Sequence, residues 1–263
     1  MKILIIGKKQ QMHWPENVAK VLSQKHDCRL FLYNKKTFFS FFRGLSKHKR
    51  FKYRAVELNK EIKQFSPDMI FFVSAFHIPA EFYEVAANFP GIKKIAWAGD
   101  AFSMAAADRA NVLDYLFCSD SGYLKVARNF KCRSFYLPLC ADETVFENHH
   151  LLHTEAPFFA GDANDIRENY LSAIHVPVNI WGSHWKKSKL RQHNVHNKSL
   201  SHRELSNFYN ISMAPINMTF SKNIIDGLNF RTFEIGMCGG LIIVNECKDL
   251  KNCYLVGKEC VTY

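Results

Sequence analysis

The sequence predicts an α/β fold with two doubly wound parallel sheets, and two observations support this class. Short apolar runs alternate with amphipathic, helix-like segments along the whole chain of 263 residues. The alternation stops at a polar, histidine-rich segment, residues 147–156, and then starts again. We therefore predict two domains, residues 1–146 and residues 147–263, with ligands bound at the carboxyl ends of their strands.

Six strand-like runs occur in the first half of the chain, and each is apolar over most of its length. The runs are KILIIG, CRLFLYN, MIFFVSAF, KKIAWAGD, DYLFCSD and SFYLPLC. Continuous apolar runs are typical of parallel strands that are buried on both faces. The intervening segments carry helix signals, since Pro15 lies where the first helix is predicted to begin and Ser66-Pro67 ends the second.

The second half contains four further strand-like runs, APFFAGD, VPVNIWGS, ISMAPIN and GGLIIVNE. The segment ANDIRENYLSAI between the first two has the character of a helix. Ser201 and Glu204 form a capping box that predicts the start of another helix. The sequence contains neither the glycine pattern of dinucleotide-binding folds nor that of P-loops, so both classes lose support.

The composition favours a folded protein with anionic partners. Hydrophobic residues make up 48% of the chain, which argues against disorder, and the formal net charge is +11. The eight cysteines show no Cys-x-x-Cys spacing, so we predict reduced thiols instead of disulfides or a metal site. The N-terminus does not have the pattern of a signal peptide, and no apolar run is long enough to span a membrane. We therefore expect a cytoplasmic protein.

Residues 35–54 form a basic and aromatic segment. It contains eight lysine or arginine residues, no acidic residue, and phenylalanines at positions 38, 39, 41 and 42. One interpretation is a peripheral contact with an anionic membrane surface, such as the inner face of the membrane. The alternative is a helix whose phenylalanines pack into the first domain. Nucleic-acid binding is disfavoured, because nothing else in the sequence is similar to an RNA-binding or DNA-binding module.

Several stretches, in the same order, resemble group 1-like glycosyltransferases of the GT-B fold. The stretches are YLPLCADETVF, FFAGDANDIRENYL, VNIWGSHW and NFRTFEIGMCGGLIIVNECKDL, and the last is similar to the spore-maturation-protein type. The resemblance implies two Rossmann-like domains that face a cleft, of which the C-terminal one is short. The sequence stops at Tyr263, where relatives usually continue through more helices, so we expect a domain that is either naturally short or truncated.

The resemblance also implies a reaction. A sugar would pass from a nucleoside-diphosphate donor, held mainly by the C-terminal domain, to a glycan, lipid-linked or protein acceptor on the N-terminal domain. No metal ion and no further cofactor are expected, because such enzymes generally work without a metal bound by Asp-x-Asp, and the sequence lacks that motif. Two alternatives stay open: a nucleotide-sugar-binding scaffold without turnover, and a sugar-nucleotide epimerase that shares the fold and the donor.

Glu234 is the first donor-binding candidate that the resemblance implies. In relatives, a glutamate at this position accepts hydrogen bonds from the donor ribose, and a carboxylate can hold two hydroxyl groups. Asp226 stands eight positions earlier, where many relatives carry a second glutamate that faces the sugar. Gly239 follows the predicted helix and would let the backbone turn closely into the next strand.

Cations and strand-end glycines are the candidates that would bind the departing diphosphate. The cations are Arg231 as the first choice and then Lys186, Lys187 and Arg167, and the glycines are Gly161 and Gly182. A dianionic leaving group favours arginine, whose guanidinium donates several hydrogen bonds. The simpler alternatives are a local ion pair between Arg231 and Glu234 on one helix face, solvated lysines, and ordinary glycine turns.

A transferase that inverts configuration needs a general base to deprotonate the acceptor hydroxyl. Asp100, which ends the run KKIAWAGD, is the first candidate. His77 follows the run MIFFVSAF and is the second, and His13, in the loop after the first strand, is the third. The alternative for each histidine is an ordinary loop residue, and a retaining enzyme would need no strong base.

Overall fold

The computed structural model describes residues 1–9, 13–34, 47–153, 155–219 and 223–263. Contacts between residues divide the chain into two compact units, Met1–Leu137 and Pro138–Tyr263. The sequence predicts this division after residue 146, but the structure places it after Leu137. Phe146 therefore belongs to the second unit, where it is buried in a core. Each unit contains a six-stranded parallel sheet, so the predicted α/β class with two parallel sheets is confirmed.

The first unit has a sheet with the strand order β2-β1-β3-β4-β5-β6. Its strands are β1 (Lys2–Gly7), β2 (Asp27–Leu32), β3 (Met69–Val73), β4 (Lys93–Ala98), β5 (Tyr115–Cys118) and β6 (Arg133–Tyr136). Its helices are α1 (Trp14–Leu22), α2 (Lys47–Phe65), α3 (Ala80–Ala87), α4 (Ala107–Ala110) and α5 (Ser121–Ala127). The order reverses between β1 and β3, as in a doubly wound sheet, and ligands bind beside such reversals.

Side chains of β1 alternate between two cores, which explains why the whole strand is apolar. Leu4 and Ile6 belong to the large core that includes α2, whereas Ile3 and Ile5 pack in a smaller core against α1. A parallel strand covered by helices on both faces needs apolar residues at every position. The apolar run that predicted β1 therefore reflects burial on both sides.

The second unit has a sheet with the strand order β12-β11-β10-β7-β8-β9. Its strands are β7 (Phe158–Ala160), β8 (Asn179–Trp181), β9 (Asn194–His196), β10 (Pro215–Asn217), β11 (Ile242–Val244) and β12 (Cys260–Thr262). Its helices are α6 (Asp165–Ser172), α7 (His202–Ile211), α8 (Phe230–Met237) and α9 (Leu250–Cys253). The predicted capping box at Ser201 and Glu204 does begin α7.

Two strands of the second unit were not predicted from apolar runs. β9 reads Asn-Val-His and lies within a polar, basic stretch, so its sequence does not resemble a buried strand. It lies at the edge of the sheet, where one side of the strand has no neighbour and polar residues are tolerated. β12 lies at the opposite edge of the sheet, where the sequence of a strand is equally unconstrained.

Residues 35–46 lie outside the described residues, so the first part of the basic segment 35–54 stays a sequence-based prediction. Its second part begins helix α2. Among the helices that the structure describes, none combines the length and the apolar character needed to cross a bilayer. The membrane-surface contact and the cytoplasmic location remain predictions.

No disulfide joins any two of the eight cysteines, all of which lie within the described residues. Cys118, Cys132, Cys238 and Cys260 are buried, and Cys140 is exposed. Burial raises the pKa of the Cys118 thiol to about 12, so this side chain packs as a neutral group. In the described part of the chain, no three His, Cys, Asp or Glu side chains group together in a way that could hold a metal ion.

Candidate functional site

Three polar side chains fix the start of α8 in the second unit. Asn229 precedes the helix, and its side-chain oxygen accepts a hydrogen bond from the Thr232 backbone nitrogen at 3.3 Å. Asn217, at the end of β10, donates to Asn229 Oδ1 at 2.9 Å and to Thr232 Oγ1 at 2.8 Å. This Asn217–Asn229–Thr232 network ties α8 to β10. Sequence reasoning missed it, although an asparagine just before a helix is a recognisable capping signal.

Glu234 lies in the interior of α8 and is only 5% exposed. Among the described residues, none donates a hydrogen bond to its carboxylate or forms a direct ion pair with it. Burial raises the pKa of Glu234 to about 7, while the positive charge of Arg231 acts in the opposite direction. An exposed local ion pair, the simpler alternative, does not describe this carboxylate. A buried carboxyl without a donor is costly, and such groups are enriched at functional sites.

Arg167 lies near the carboxyl end of β7, and Arg231 is close enough to act on it electrostatically. Arg167, on α6, donates from Nη1 to the carbonyl oxygen of Asp162 at 2.6 Å and lies over the Phe159 ring. The pKa of Arg167 is lowered to about 10, mainly by burial and then by the positive charge of Arg231. Two neighbouring guanidinium groups repel each other, so a bound anion would stabilise them.

Tyr209, on α7, adds a neutral hydroxyl that sequence reasoning missed. Its hydroxyl group is buried and has no hydrogen-bond partner within the described ranges. Burial raises its pKa, and Glu234 and Arg231 are both close enough to influence it electrostatically. No local motif marks Tyr209, because a tyrosine on the apolar face of a helix is usually a core residue.

Gly161 and Gly182 directly follow β7 and β8, and their backbones approach each other closely. A methyl group on Gly182 would lie 2.0 Å from the Gly161 carbonyl oxygen. The same oxygen accepts a hydrogen bond from Trp185 Nε1 at 2.8 Å. Position 182 therefore requires glycine because a side chain would separate the two strand ends, which is a stronger constraint than an ordinary turn imposes.

The other donor-side candidates have different surroundings. Asp226 is buried, lines a cavity of about 640 Å³, and its Oδ1 lies 3.1 Å from Lys248 Nζ. Glu234 and Arg231 are not among the residues that line this cavity. Lys186 and Lys187 are exposed in a short 3-10 helix, as the solvated-lysine alternative predicts. The donor-binding roles of these residues stay predictions.

Gly239 ends α8 in a left-handed conformation with φ of 75°. Its backbone nitrogen donates to Gly236, and the next nitrogen, of Gly240, donates to the Ile235 carbonyl. This is the Schellman pattern, which usually requires glycine at the left-handed position. A methyl group at Gly239 would also lie 2.4 Å from Asn148 Nδ2.

We expect Gly239→Ala to lower the free energy of unfolding by about 1–2 kcal/mol from the left-handed backbone alone. Urea unfolding measures this change. Gly257→Ala is the matched control, because Gly257 has φ of 83° and an added methyl group would meet nothing within 4 Å. A larger loss for Gly239→Ala than for Gly257→Ala would isolate the collision with Asn148. Equal losses would show that Asn148 moves away without cost.

A second candidate site lies in the first unit, where loops after β3 and β4 line a cavity of about 160 Å³. His77 Nε2 and Asp100 Oδ2 are 3.2 Å apart, and both residues line the cavity. The first two candidates for the general base, considered separately in the sequence, are thus joined by a hydrogen bond. Arg109 of α4 also lines the cavity and donates from Nη1 to the carbonyl oxygens of Phe76 at 2.8 Å and Ile78 at 3.2 Å.

His77 is the more accessible member of the pair, with its side chain 58% exposed against 33% for Asp100. The hydrogen bond to Asp100 raises the pKa of His77, whereas partial burial and the charges of Lys8 and Arg109 lower it. A histidine held by a carboxylate is a common arrangement for general-base catalysis. His13, the third candidate, is not among the residues that line this cavity, and its ring lies 3.8 Å from Glu16.

Comparison of the sequence with known families gives one match, in the second unit. Residues 166–263 match the family described as "Glycosyl transferase-like". No curated protein sequence matches the chain. The spore-maturation-protein type remains a resemblance.

Several solved structures share the fold. The UDP-GlcNAc 2-epimerase from Methanocaldococcus jannaschii is 11% identical, with a TM-score of 0.60 over 100% of this chain and 89% of the epimerase. An alpha-glucosyltransferase in complex with UDP and a 13-mer DNA is also 11% identical, with a TM-score of 0.58 over 94% of this chain and 80% of that one. A complex of the Methanocaldococcus jannaschii epimerase with UDP-GlcNAc and UDP is 10% identical, with a TM-score of 0.51 over 100% and 89% of the two chains. The chain therefore has the two-domain GT-B fold of these structures, and its residues 166–263 match the glycosyl transferase-like family.

Proposed function

We propose that this protein transfers a sugar from a nucleoside-diphosphate sugar to the hydroxyl group of an acceptor. The observation that carries the proposal is the buried carboxyl of Glu234, which none of the described residues pairs, together with Arg231, whose charge acts on both Glu234 and Arg167. The glycosyl transferase-like match of residues 166–263 supports it. Structures with the same fold contain UDP, which favours uracil as the base of the donor.

In the proposed donor site, Glu234 accepts hydrogen bonds from the ribose hydroxyl groups. These donors would supply the partners that its carboxylate lacks among the described residues. Arg167 and Arg231 bind the diphosphate and stabilise the negative charge that it gains as it departs. Their mutual repulsion disfavours the empty site and favours an occupied one.

In the proposed acceptor site, His77 acts as the general base and Asp100 orients it. The acceptor hydroxyl gives its proton to the imidazole, and its oxygen forms a bond to the anomeric carbon of the donor sugar. The bond between that carbon and the diphosphate oxygen breaks, and its electron pair leaves with the diphosphate. The protonated imidazole is stabilised by the carboxylate of Asp100, which remains ionised.

The proposed reaction needs no divalent cation, because the two arginines provide the positive charge that faces the leaving group. We therefore expect sugar transfer to continue in the presence of EDTA.

The acceptor class is a glycan, a lipid-linked molecule or a protein. A lipid-linked acceptor would agree with an anionic membrane surface as the partner of residues 35–54.

The test combines a donor panel with one charge-removing variant. UDP and GDP sugars are screened by thermal shift, and release of the nucleoside diphosphate is measured with acceptors of the three classes. We expect a UDP-sugar to stabilise the protein, and Arg231→Gln to weaken its affinity by about tenfold to a hundredfold, as for a lost charge-assisted hydrogen bond. Arg191→Gln, at an exposed arginine of the same unit, is the control and should leave the affinity unchanged.

Failure of every nucleotide to bind would overturn the proposal. Stabilisation by UDP without turnover of any donor would favour a binding protein instead.

The fold shared with UDP-GlcNAc 2-epimerases supports one further candidate function. Conversion of the donor sugar into its epimer in the absence of an acceptor would favour epimerisation over transfer.

A further inference from the structure

Three ionisable side chains, those of His77, Asp100 and Arg109, line one cavity of the first unit, and a fourth, Lys8, is close enough to act electrostatically on His77. Lys8 follows β1, His77 follows β3, and Asp100 follows β4, while Arg109 reaches the same cavity from α4. Lys8, Arg109 and Asp100 each act electrostatically on His77. Two permanent cations and one carboxylate thus act on His77, so the net charge around this imidazole is positive.

Arg109 is held in place by neutral groups. Its Nη1 donates to two backbone carbonyls, and no ion pair joins its guanidinium to an acidic side chain in the part of the chain that the structure describes. A guanidinium has five N–H donors, so donors remain after these two contacts. A positioned arginine that keeps both its charge and its donors is suited to bind phosphate or carboxylate.

The excess positive charge of the whole chain also lies in the unit that contains this cavity. Residues 1–137 contain 23 lysine or arginine residues against 11 aspartate or glutamate residues, whereas residues 138–263 contain 12 and 13. The excess positive charge therefore belongs to the unit that carries the proposed acceptor site. Such a field attracts anionic molecules and raises their association rate.

We infer that this cavity binds an oxyanion, a phosphate or a carboxylate group carried by the acceptor, through the guanidinium of Arg109, and that the charge of nearby Lys8 favours the bound anion from outside the lining. The inference rests on the proposed function, and it narrows the acceptor to an anionic molecule whose reactive hydroxyl lies next to that group. The cavity of about 160 Å³ is large enough for the charged group and its neighbouring hydroxyl.

The test uses inorganic phosphate as the probe and needs no donor. The imidazole of His77 is titrated by NMR with and without phosphate at constant ionic strength. An anion bound beside Arg109 adds negative charge near His77, so we expect its pKa to rise by about half a pH unit or more. His13 is the internal control, because it is not among the residues that line the cavity. Equal shifts of both histidines, or none at His77, would overturn the inference.

Variants separate binding from folding. Arg109→Gln should abolish the phosphate effect, but it also removes hydrogen bonds to the loop after β3 and could disturb the fold. Lys8→Gln is therefore the second variant, because Lys8 is exposed, and it should weaken phosphate binding several-fold. Lys9→Gln is the matched control and should bind phosphate like the unmodified protein. An unchanged phosphate effect in Lys8→Gln and in folded Arg109→Gln would contradict the assignment.

UDP binding, measured on the same samples, distinguishes this inference from the proposed function. Loss of the phosphate effect with UDP binding intact would overturn only the anionic acceptor. A phosphate effect without UDP binding would support the anion site and contradict the donor site.

Discussion

Asp100→Asn is expected to lower kcat for sugar transfer by about a hundredfold to ten-thousandfold, the usual contribution of general acid–base catalysis. The asparagine keeps the size of the side chain but cannot stabilise a protonated His77 by charge. Affinity for the donor should not change, because the donor is proposed to bind the other unit. Steady-state kinetics and UDP binding by calorimetry measure the two quantities. Glu84→Gln, at an exposed residue of α3, is the control.

The pH profile provides a readout that a purely structural defect would not reproduce. Only neutral His77 can accept a proton, so the rate should rise as pH increases through the pKa of His77. Asp100 raises that pKa, and its replacement should therefore move the rising limb to lower pH. A fall in kcat with an unmoved limb would show that His77 is not the base.

Glu234→Gln is expected to have opposite effects on donor affinity and on stability. Ribose hydroxyl groups would lose a charged acceptor, so UDP affinity should fall about tenfold to a hundredfold. Stability at high pH should rise relative to the unmodified protein, because the variant no longer ionises a buried group. The buried carboxyl thus favours binding at a cost to the folded state.

The sign of the pH effect follows from the raised pKa of Glu234. Between its usual value of 4.5 and about 7, the folded state binds more protons than the unfolded state. Stability therefore falls as pH rises through this range, by at most about 3 kcal/mol, and the loss is complete above pH 7. Urea unfolding at pH 5 and pH 8 should show a smaller difference for Glu234→Gln than for the unmodified protein. Glu143→Gln, at an exposed glutamate, should keep the full difference.

The fold could be predicted because its signals are local. Parallel strands covered on both faces, such as β1, need continuous apolar residues, and helix starts such as Ser201 carry their own capping residues. Strand β9 escaped prediction because an edge strand can be polar. Burial on both faces is therefore what made most strands recognisable.

The candidate sites could be predicted only in part because they depend on contacts between distant residues. Glu234 and Arg231 were chosen by resemblance, but the electrostatic effect of Arg231 on Arg167 joins residues of two different helices, α8 and α6, that are far apart in the sequence. His77 and Asp100 follow neighbouring strands, yet nothing in the sequence indicates that they form a hydrogen bond. Arg109 was missed entirely, since an arginine on a four-residue helix has no local signature.

The Asn217–Asn229–Thr232 network has a consequence for how this sequence can vary over generations. Each of the three side chains satisfies the polar atoms of the other two, so an apolar replacement at one position leaves orphaned groups at both remaining positions. A lineage that drifts at any of them must change the set together or lose the anchored start of α8.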